Sequence, residues 1–170
     1  MSDTIDSVTG QKRSFQAFAG SLLTNTDLSE AFLDGKSYRL YKAFAANTQI
    51  RFVATRPFLL KSQTMYCDAG QATAVISAGS TLGGSWTALP TKFAVNGTVS
   101  PVPTPTSTVE EGGTITGGTE RERMRAASGA GVGIVNTVVT PRLLPAGTYS
   151  IALTVTGTTA AIYTIEWDEL

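Results

Sequence analysis

From Lys36 onward apolar side chains recur at every second position, the period of a half-buried β-strand. The runs SYRLYKAFA, TQIRFVATR, FLLKSQTMY and ATAVISA have strand-like length, are rich in aromatic and β-branched residues, and are separated by Asn47, Pro57 and CDAG. They predict four consecutive antiparallel strands. In the second run Ile50, Phe52 and Ala54 point one way and Arg51, Val53 and Thr55 the other, which assigns the first set to the core. Further on, GIVNTVV also reads as a strand. At the end of the chain Tyr149, Ile151, Leu153 and Val155 form one apolar row, and Ala161, Tyr163, Ile165 and Trp167 a second. A closing hairpin that keeps both rows on one face must set Val155 opposite Ala161, Leu153 opposite Tyr163, Ile151 opposite Ile165 and Tyr149 opposite Trp167, around an odd-numbered loop.

Other stretches depart from this period. In TDLSEAFLDG, Asp27 and Glu30 have capping-box spacing, Leu28, Ala31 and Phe32 share a helical face, and Gly35 stands where a left-handed C-cap belongs, which predicts one short helix. The polar residues before it read as an extended arm over 1–23. GSTLGGSW reads as a Gly-Ser loop, and Asn96-Gly97 as a tight hairpin turn. Together these features describe an all-β protein, an antiparallel β-sandwich or jelly roll of about eight short strands with an extended N-terminal arm and one short helix. Residues 1–35 hold the arm and helix, and residues 36–170 a single sandwich domain with a Gly/Thr/Pro-rich excursion at about 97–133.

Within that excursion Pro101, Pro103 and Pro105 fall on alternate positions and delete amide donors from one side of an extended chain. The segment is a protected strand edge or a polyproline-like arm lying over a neighbour. TERERMR follows. As a strand it would place Glu120 and Glu122 on one side and Arg121, Arg123 and Arg125 on the other; as a helical turn it would pair charges three apart. Flanked by GGTITGGT and AASGAGVG, it is expected on a loop. That loop either carries weak surface ion pairs or orders against another subunit through its arginines.

Composition narrows the chemistry. Apolar residues make up 42% of the 170 and charged residues 15%, which suits sheets and turns better than helices. Thirteen basic residues balance thirteen acidic ones, so whole-molecule attraction to nucleic acid or to an anionic membrane is not expected. No apolar leader segment is read at the start, so synthesis in the cytoplasm is expected. The chain has no histidine and one cysteine, Cys67, which closes Ser-His-Asp and Cys-His nucleophile systems, imidazole acid-base catalysis and an intrachain disulfide. The carboxylates Glu110, Glu111, Glu120 and Glu122 are not held as a catalytic pair requires. The Gly-rich GAGVG lacks the Lys-Ser/Thr ending of a phosphate loop. No enzyme activity, metal or cofactor is expected. Basic residues cluster between Lys36 and Lys61 and acids in the terminal EWDEL, an asymmetry that suits complementary contacts between subunits.

The polar arm, the short-stranded sandwich, the central excursion and the closing LLPAGTYSIALTVTGTTAAIYTIEWDEL together resemble the small β-sandwich virion proteins of tailed bacteriophages. There, a last hairpin of the form Pro-x-Gly-Thr-Tyr … Glu-Trp closes the domain. The likeness runs from Lys36 onward. It implies a structural virion protein assembled in the host cytoplasm, most specifically a capsid decoration or cement protein, often trimeric, that bridges subunits of the major capsid protein. Contacts would then fall on the arm around Lys12, Arg13 and Phe15, on Pro101, Pro103 and Pro105, and on Arg121, Arg123 and Arg125. Two alternatives stand beside it: a collar, tail or fibre-adaptor protein of the same fold, and a carbohydrate-binding module using Trp86, Tyr41, Tyr66 or Trp167.

Overall fold

The computed structural model describes residue 31 and residues 34–89, 92–95, 100–101, 103–127, 134–138, 141–157 and 160–170. The expected arm with Lys12, Arg13 and Phe15, the Asn96-Gly97 turn and GAGVG lie outside the described residues. Of the predicted helix only its closure is described. Gly35 adopts a φ of 76° and the Lys36 N–H bonds to the Ala31 carbonyl at 2.6 Å, the six-to-one bond of a glycine-closed helix end.

Among the described residues twelve strands form: β1 (Ser37–Phe44), β2 (Thr48–Ala54), β3 (Phe58–Cys67), β4 (Gln71–Ala78), β5 (Thr81–Ala88), β6 (Lys92–Ala94), β7 (Thr108–Thr116), β8 (Thr119–Ala127), β9 (Ile134–Val138), β10 (Arg142–Leu144), β11 (Gly147–Thr156) and β12 (Ala161–Glu169). They make two antiparallel sheets. The first, sheet A, runs β10-β3-β12-β1-β6, with β9 also on β3; the second, sheet B, runs β5-β7-β2-β11-β4-β8. Leaving out β5, β6 and β7, and counting β9 and β10 as one interrupted strand, the two sheets have the strand order of a jelly roll, β1-β12-β3-β9/β10 and β2-β11-β4-β8, the chain changing sheet at every step except from β4 to β8.

This topology corrects two expectations. The four consecutive strands β1 to β4 do not pair with one another: β1 and β3 flank β12 in sheet A, while β2 and β4 flank β11 in sheet B. The three-residue links 45–47, 55–57 and 68–70 each cross from one sheet to the other instead of turning within one. Likewise β11 and β12 form no hairpin. Their apolar rows face each other from opposite sheets across the interior, and β11 pairs with Ile50 and Ile76 through Ile151 while β12 pairs with Leu40 and Gln63 through Ile165. Alternation allows both arrangements, because a row pointing inward looks the same whichever strand lies beside it.

The inward assignments themselves hold. Ile50, Phe52 and Ala54 of β2 are at most 5% exposed, and the two C-terminal rows are buried except for the partly exposed Val155. The centre is aromatic: Trp167 meets Phe52 edge-on at 5.1 Å, Phe52 stacks with Phe58 at 5.0 Å, and Phe58 meets Tyr149 at 5.5 Å. Burial pushes the Tyr163 phenol far above its ordinary range, so it remains a donor, to Gln63 Oε1 at 2.7 Å.

Cross-sheet polar contacts close both flanks. On one, Lys42 of β1 pairs with Glu111 of β7. On the other, Arg142 of β10 pairs with Glu122 of β8 at 3.2 Å and donates to the Arg121 carbonyl, while Asn136 of β9 donates to the Arg125 carbonyl. Side chains thus cap carbonyls on the free edge of β8, which would otherwise template another strand.

Candidate interaction surfaces

The proline segment belongs to no strand. Tyr38 donates its hydroxyl to the Pro103 carbonyl at 3.0 Å, and the residues that follow are clamped by the last strand. Glu169, 7% exposed, accepts from the backbone N–H groups of Thr106 and Ser107 at 2.8 and 3.0 Å and from their hydroxyls at 2.8 and 2.6 Å. Burial opposes its ionisation, but the four donors together outweigh it and hold the carboxyl below the ordinary carboxylate range. Of the three prolines Pro101 is exposed, while Pro103 and Pro105 are half-buried. Pro103, Thr106 and Ser107 are therefore held against the chain's own sandwich.

Arg121, Arg123 and Arg125 do not sit on a loop. They belong to the nine-residue strand β8, in which Met124 and Ala126 are 1% and 2% exposed. These two buried side chains order the segment, since they fill the core opposite sheet A while the flanking charges stay outside. The register slips between Ile76 and Ser77, so Arg121 becomes an extra residue, and Glu120 turns to the outer face beside Arg123. That bulge lets residues three apart along a strand form an ion pair, Arg123 Nε to Glu120 Oε1 at 3.2 Å. The remaining length of the expected excursion holds β7, also nine residues.

The charge asymmetry is satisfied within the chain. Arg39 pairs with Glu166 at 3.1 Å, Lys61 with the buried Asp168 at 3.1 Å, Arg51 with Glu110 through two hydrogen bonds, and Lys36 with Asp34 at 3.3 Å. The basic strands and the acidic tail are thus neighbours in one sandwich. Register brings them together, because β12 lies between β1 and β3.

A different surface emerges on the outer face of sheet A. Cross-strand pairing aligns Val135, Tyr66, Ile162 and Ala43 in one row and Thr137, Thr64, Thr164 and Tyr41 in the next. None of the eight is charged. Farther along, the same face carries charge: Ser62, Glu166 and Arg39 align in one row and Leu143, Leu59, Asp168 and Ser37 in the next, with Glu166 paired to Arg39 and Asp168 to Lys61. Val135 is 59% exposed, Leu143 64% and Tyr41 42%, so three of the four large exposed apolar side chains among the described residues lie on this face, the fourth being Leu170 after β12. Sheet B differs. Its outer face is overlaid at one end by the β5–β7 ribbon, where Ser80 bonds to Ser150 at 2.7 Å and to the Gly117 carbonyl. Ser150 is consequently 2% exposed although it points outward.

No protein-family model matches this chain, and no curated protein matches it. Among solved structures it has a likeness to the crystal structure of hydroquinone 1,2-dioxygenase from Sphingomonas sp. TTNP3 with 4-hydroxybenzoate bound. The identity is 12%, the alignment covers 76% of this chain and 59% of that one, and the TM-score is 0.27. A likeness that low supports no inference about chemistry.

The aromatic candidates separate cleanly. Trp167 is fully buried, as expected from its row. Trp86 lies in β5, which replaces the expected Gly-Ser loop; its ring packs directly on Gly113 and carries the Arg51 guanidinium 5.2 Å from its centroid. A sugar stacking there would have to displace Arg51 from both Trp86 and Glu110. Gly113 has a φ of 57°, and a Cβ added to it would stand 2.2 Å from the indole. Gly113→Ala is therefore expected to destabilise the fold by about 2 kcal/mol and shift Trp86 emission, read by urea unfolding with fluorescence. An unchanged midpoint and spectrum would show that the ring does not rest on this backbone.

Proposed function

We propose that this protein is a structural virion component acting by contact, most specifically a capsid decoration or cement protein that binds and bridges subunits of the major capsid protein. The resemblance of its closing segment to the small β-sandwich virion proteins of tailed bacteriophages motivates the reading. The observation that carries it is the outer face of sheet A, where two adjoining rows without charge, Val135–Tyr66–Ile162–Ala43 and Thr137–Thr64–Thr164–Tyr41, lie open with Val135 and Tyr41 exposed. A homo-oligomer, with a trimer favoured, and assembly in the host cytoplasm belong to the same proposal. So do contacts at Lys12, Arg13, Phe15, Pro101, Pro103, Pro105, Arg121, Arg123 and Arg125.

The test is co-sedimentation of the purified full chain with capsid shells, with bound copies counted by quantitative mass spectrometry. Recovery in proportion to capsid subunits supports decoration, while a handful of copies per particle assigns the protein to the collar, tail or fibre adaptor. In the same assay the combined Arg121→Ala, Arg123→Ala and Arg125→Ala variant is expected to bind at least about tenfold more weakly. Undiminished loading would remove those arginines from the interface.

A further inference from the structure

We propose that residues 17–23 of this chain, AFAGSLL, fold back across the outer face of sheet A and occupy its two uncharged rows as a strap. The inference stands apart from the capsid reading and adds to it the place where the arm's tip, around Lys12, Arg13 and Phe15, emerges.

The chain before β1 arrives at this face. Ser37 pairs with Asp168, and Gly35, with a φ of 76°, closes the turn in which the Lys36 N–H meets the Ala31 carbonyl. Ala31 is 8% exposed, so that turn packs on the sandwich instead of projecting from it. A second sign lies on β12. Thr164 and Asp168 both point outward between β1 and β3, yet Thr164 is partly exposed while Asp168 and the adjoining Ser37 are 0% and 1% exposed. On the outer side of a two-layer sandwich, a side chain is buried that fully only beneath further chain. Lys61 pairs with Asp168 at 3.1 Å but keeps 28% of its own side chain exposed, and so roofs it in part. The rest of the cover comes from the chain that enters β1, which reaches the outer face from this end.

Length and chemistry then select the segment. At ~3.4 Å per strand residue the uncharged rows lie ~14 and ~20 Å from the row of Ser37. Residues 24–35 separate Leu23 from Lys36, and even at helical rise that link spans about 20 Å. Residues 14–26 carry no charge, matching rows that have none, so docking buries no ion on either side. Phe18, Leu22 and Leu23 are the large apolar side chains of the strap, and they shield Val135 and Tyr41, 59% and 42% exposed. The charged rows are only crossed. Their Arg39–Glu166 and Lys61–Asp168 pairs stay as they are.

The experiment places a reporter thiol under the strap. Thr164→Cys in the full chain is read by its rate of labelling with a maleimide dye in dilute solution, the native Cys67 being fully buried. Deleting residues 1–23, or combining Phe18→Asp with Leu22→Asp in the full chain, is expected to speed that labelling at least about tenfold. Thr154→Cys, exposed on β11 of the other sheet, should label at one rate throughout. Circular dichroism checks that each variant is folded. For a second readout, p-benzoyl-phenylalanine in place of Phe18 is irradiated and its adducts are mapped by mass spectrometry. They are expected within one chain, at residues 41–43, 64–66, 135–137 or 162–164. Labelling of Thr164→Cys that ignores both changes overturns the proposal, and so does an acceleration shared by Thr154→Cys, which means a loosened sandwich. Adducts between chains assign the rows to a neighbour's arm and overturn the strap, as do adducts elsewhere or none at all. No shell enters either measurement, so the strap and the capsid reading fail separately.

Discussion

Trp167→Ala is expected to lower the stability of this protein by about 3 to 5 kcal/mol. Since a domain has about 5 to 15 kcal/mol in total, that loss brings it close to unfolding. Trp167 is fully buried, meets Phe52 edge-on, lies 5.9 Å from Tyr38 and directs its indole N–H toward Glu169 at 3.5 Å. It reaches from sheet A to the Phe52 ring of sheet B, so truncation opens a cavity whose walls are held by different sheets and cannot easily collapse. Urea unfolding followed by circular dichroism measures the effect. Trp167→Phe should cost less, because it retains an aromatic contact with Phe52. A midpoint for the alanine variant within about 1 kcal/mol of the wild type would mean that this contact does not bind the sheets together.

The second large effect concerns Glu169. Its removal leaves two backbone N–H groups and two hydroxyls without their acceptor, and Glu169→Ala is expected to cost about 2 to 4 kcal/mol at neutral pH. The pH dependence follows from the lowered pKa. Folding favours the ionised carboxylate, so the unfolded chain takes up the proton more readily. The stabilisation is fully present above the ordinary value of 4.5 and disappears as the pH falls through the folded-state value. Glu169→Gln removes the ionisation while keeping the shape. Its stability should therefore fall less steeply than that of the wild type between about pH 5 and pH 2. Parallel curves for the two proteins would show that the clamp does not depend on charge.

The clamp also illustrates what residue order can reveal. The acids of EWDEL read as suited to contacts between subunits because nothing local indicates that β12 lies centrally in sheet A or that Thr106 and Ser107 converge on its end. TERERMR misleads for a related reason. Its charges dominate the local pattern, yet Met124 and Ala126, two residues apart, were the available sign of a strand with one buried side. The two uncharged rows on the outer face of sheet A are harder still to foresee. Val135 and Thr137 on β9, Thr64 and Tyr66 on β3, Ile162 and Thr164 on β12, and Tyr41 and Ala43 on β1 are unremarkable pairs until register aligns them.

By itself the order of residues determined the all-β class, most of the strand intervals, the glycine closure before β1 and the choice of inward side chains on β2, β11 and β12. These depend on alternation and on backbone conformation, which act between residues close in the chain. Only the tertiary structure decided that β1 to β4 cross between sheets, that β11 and β12 face each other instead of pairing, and that Arg39 and Lys61 of the basic strands pair with Glu166 and Asp168 of the acidic end. Pairing joins residues as far apart as Ser37 and Asp168, and it is selected by the burial of every apolar row at once.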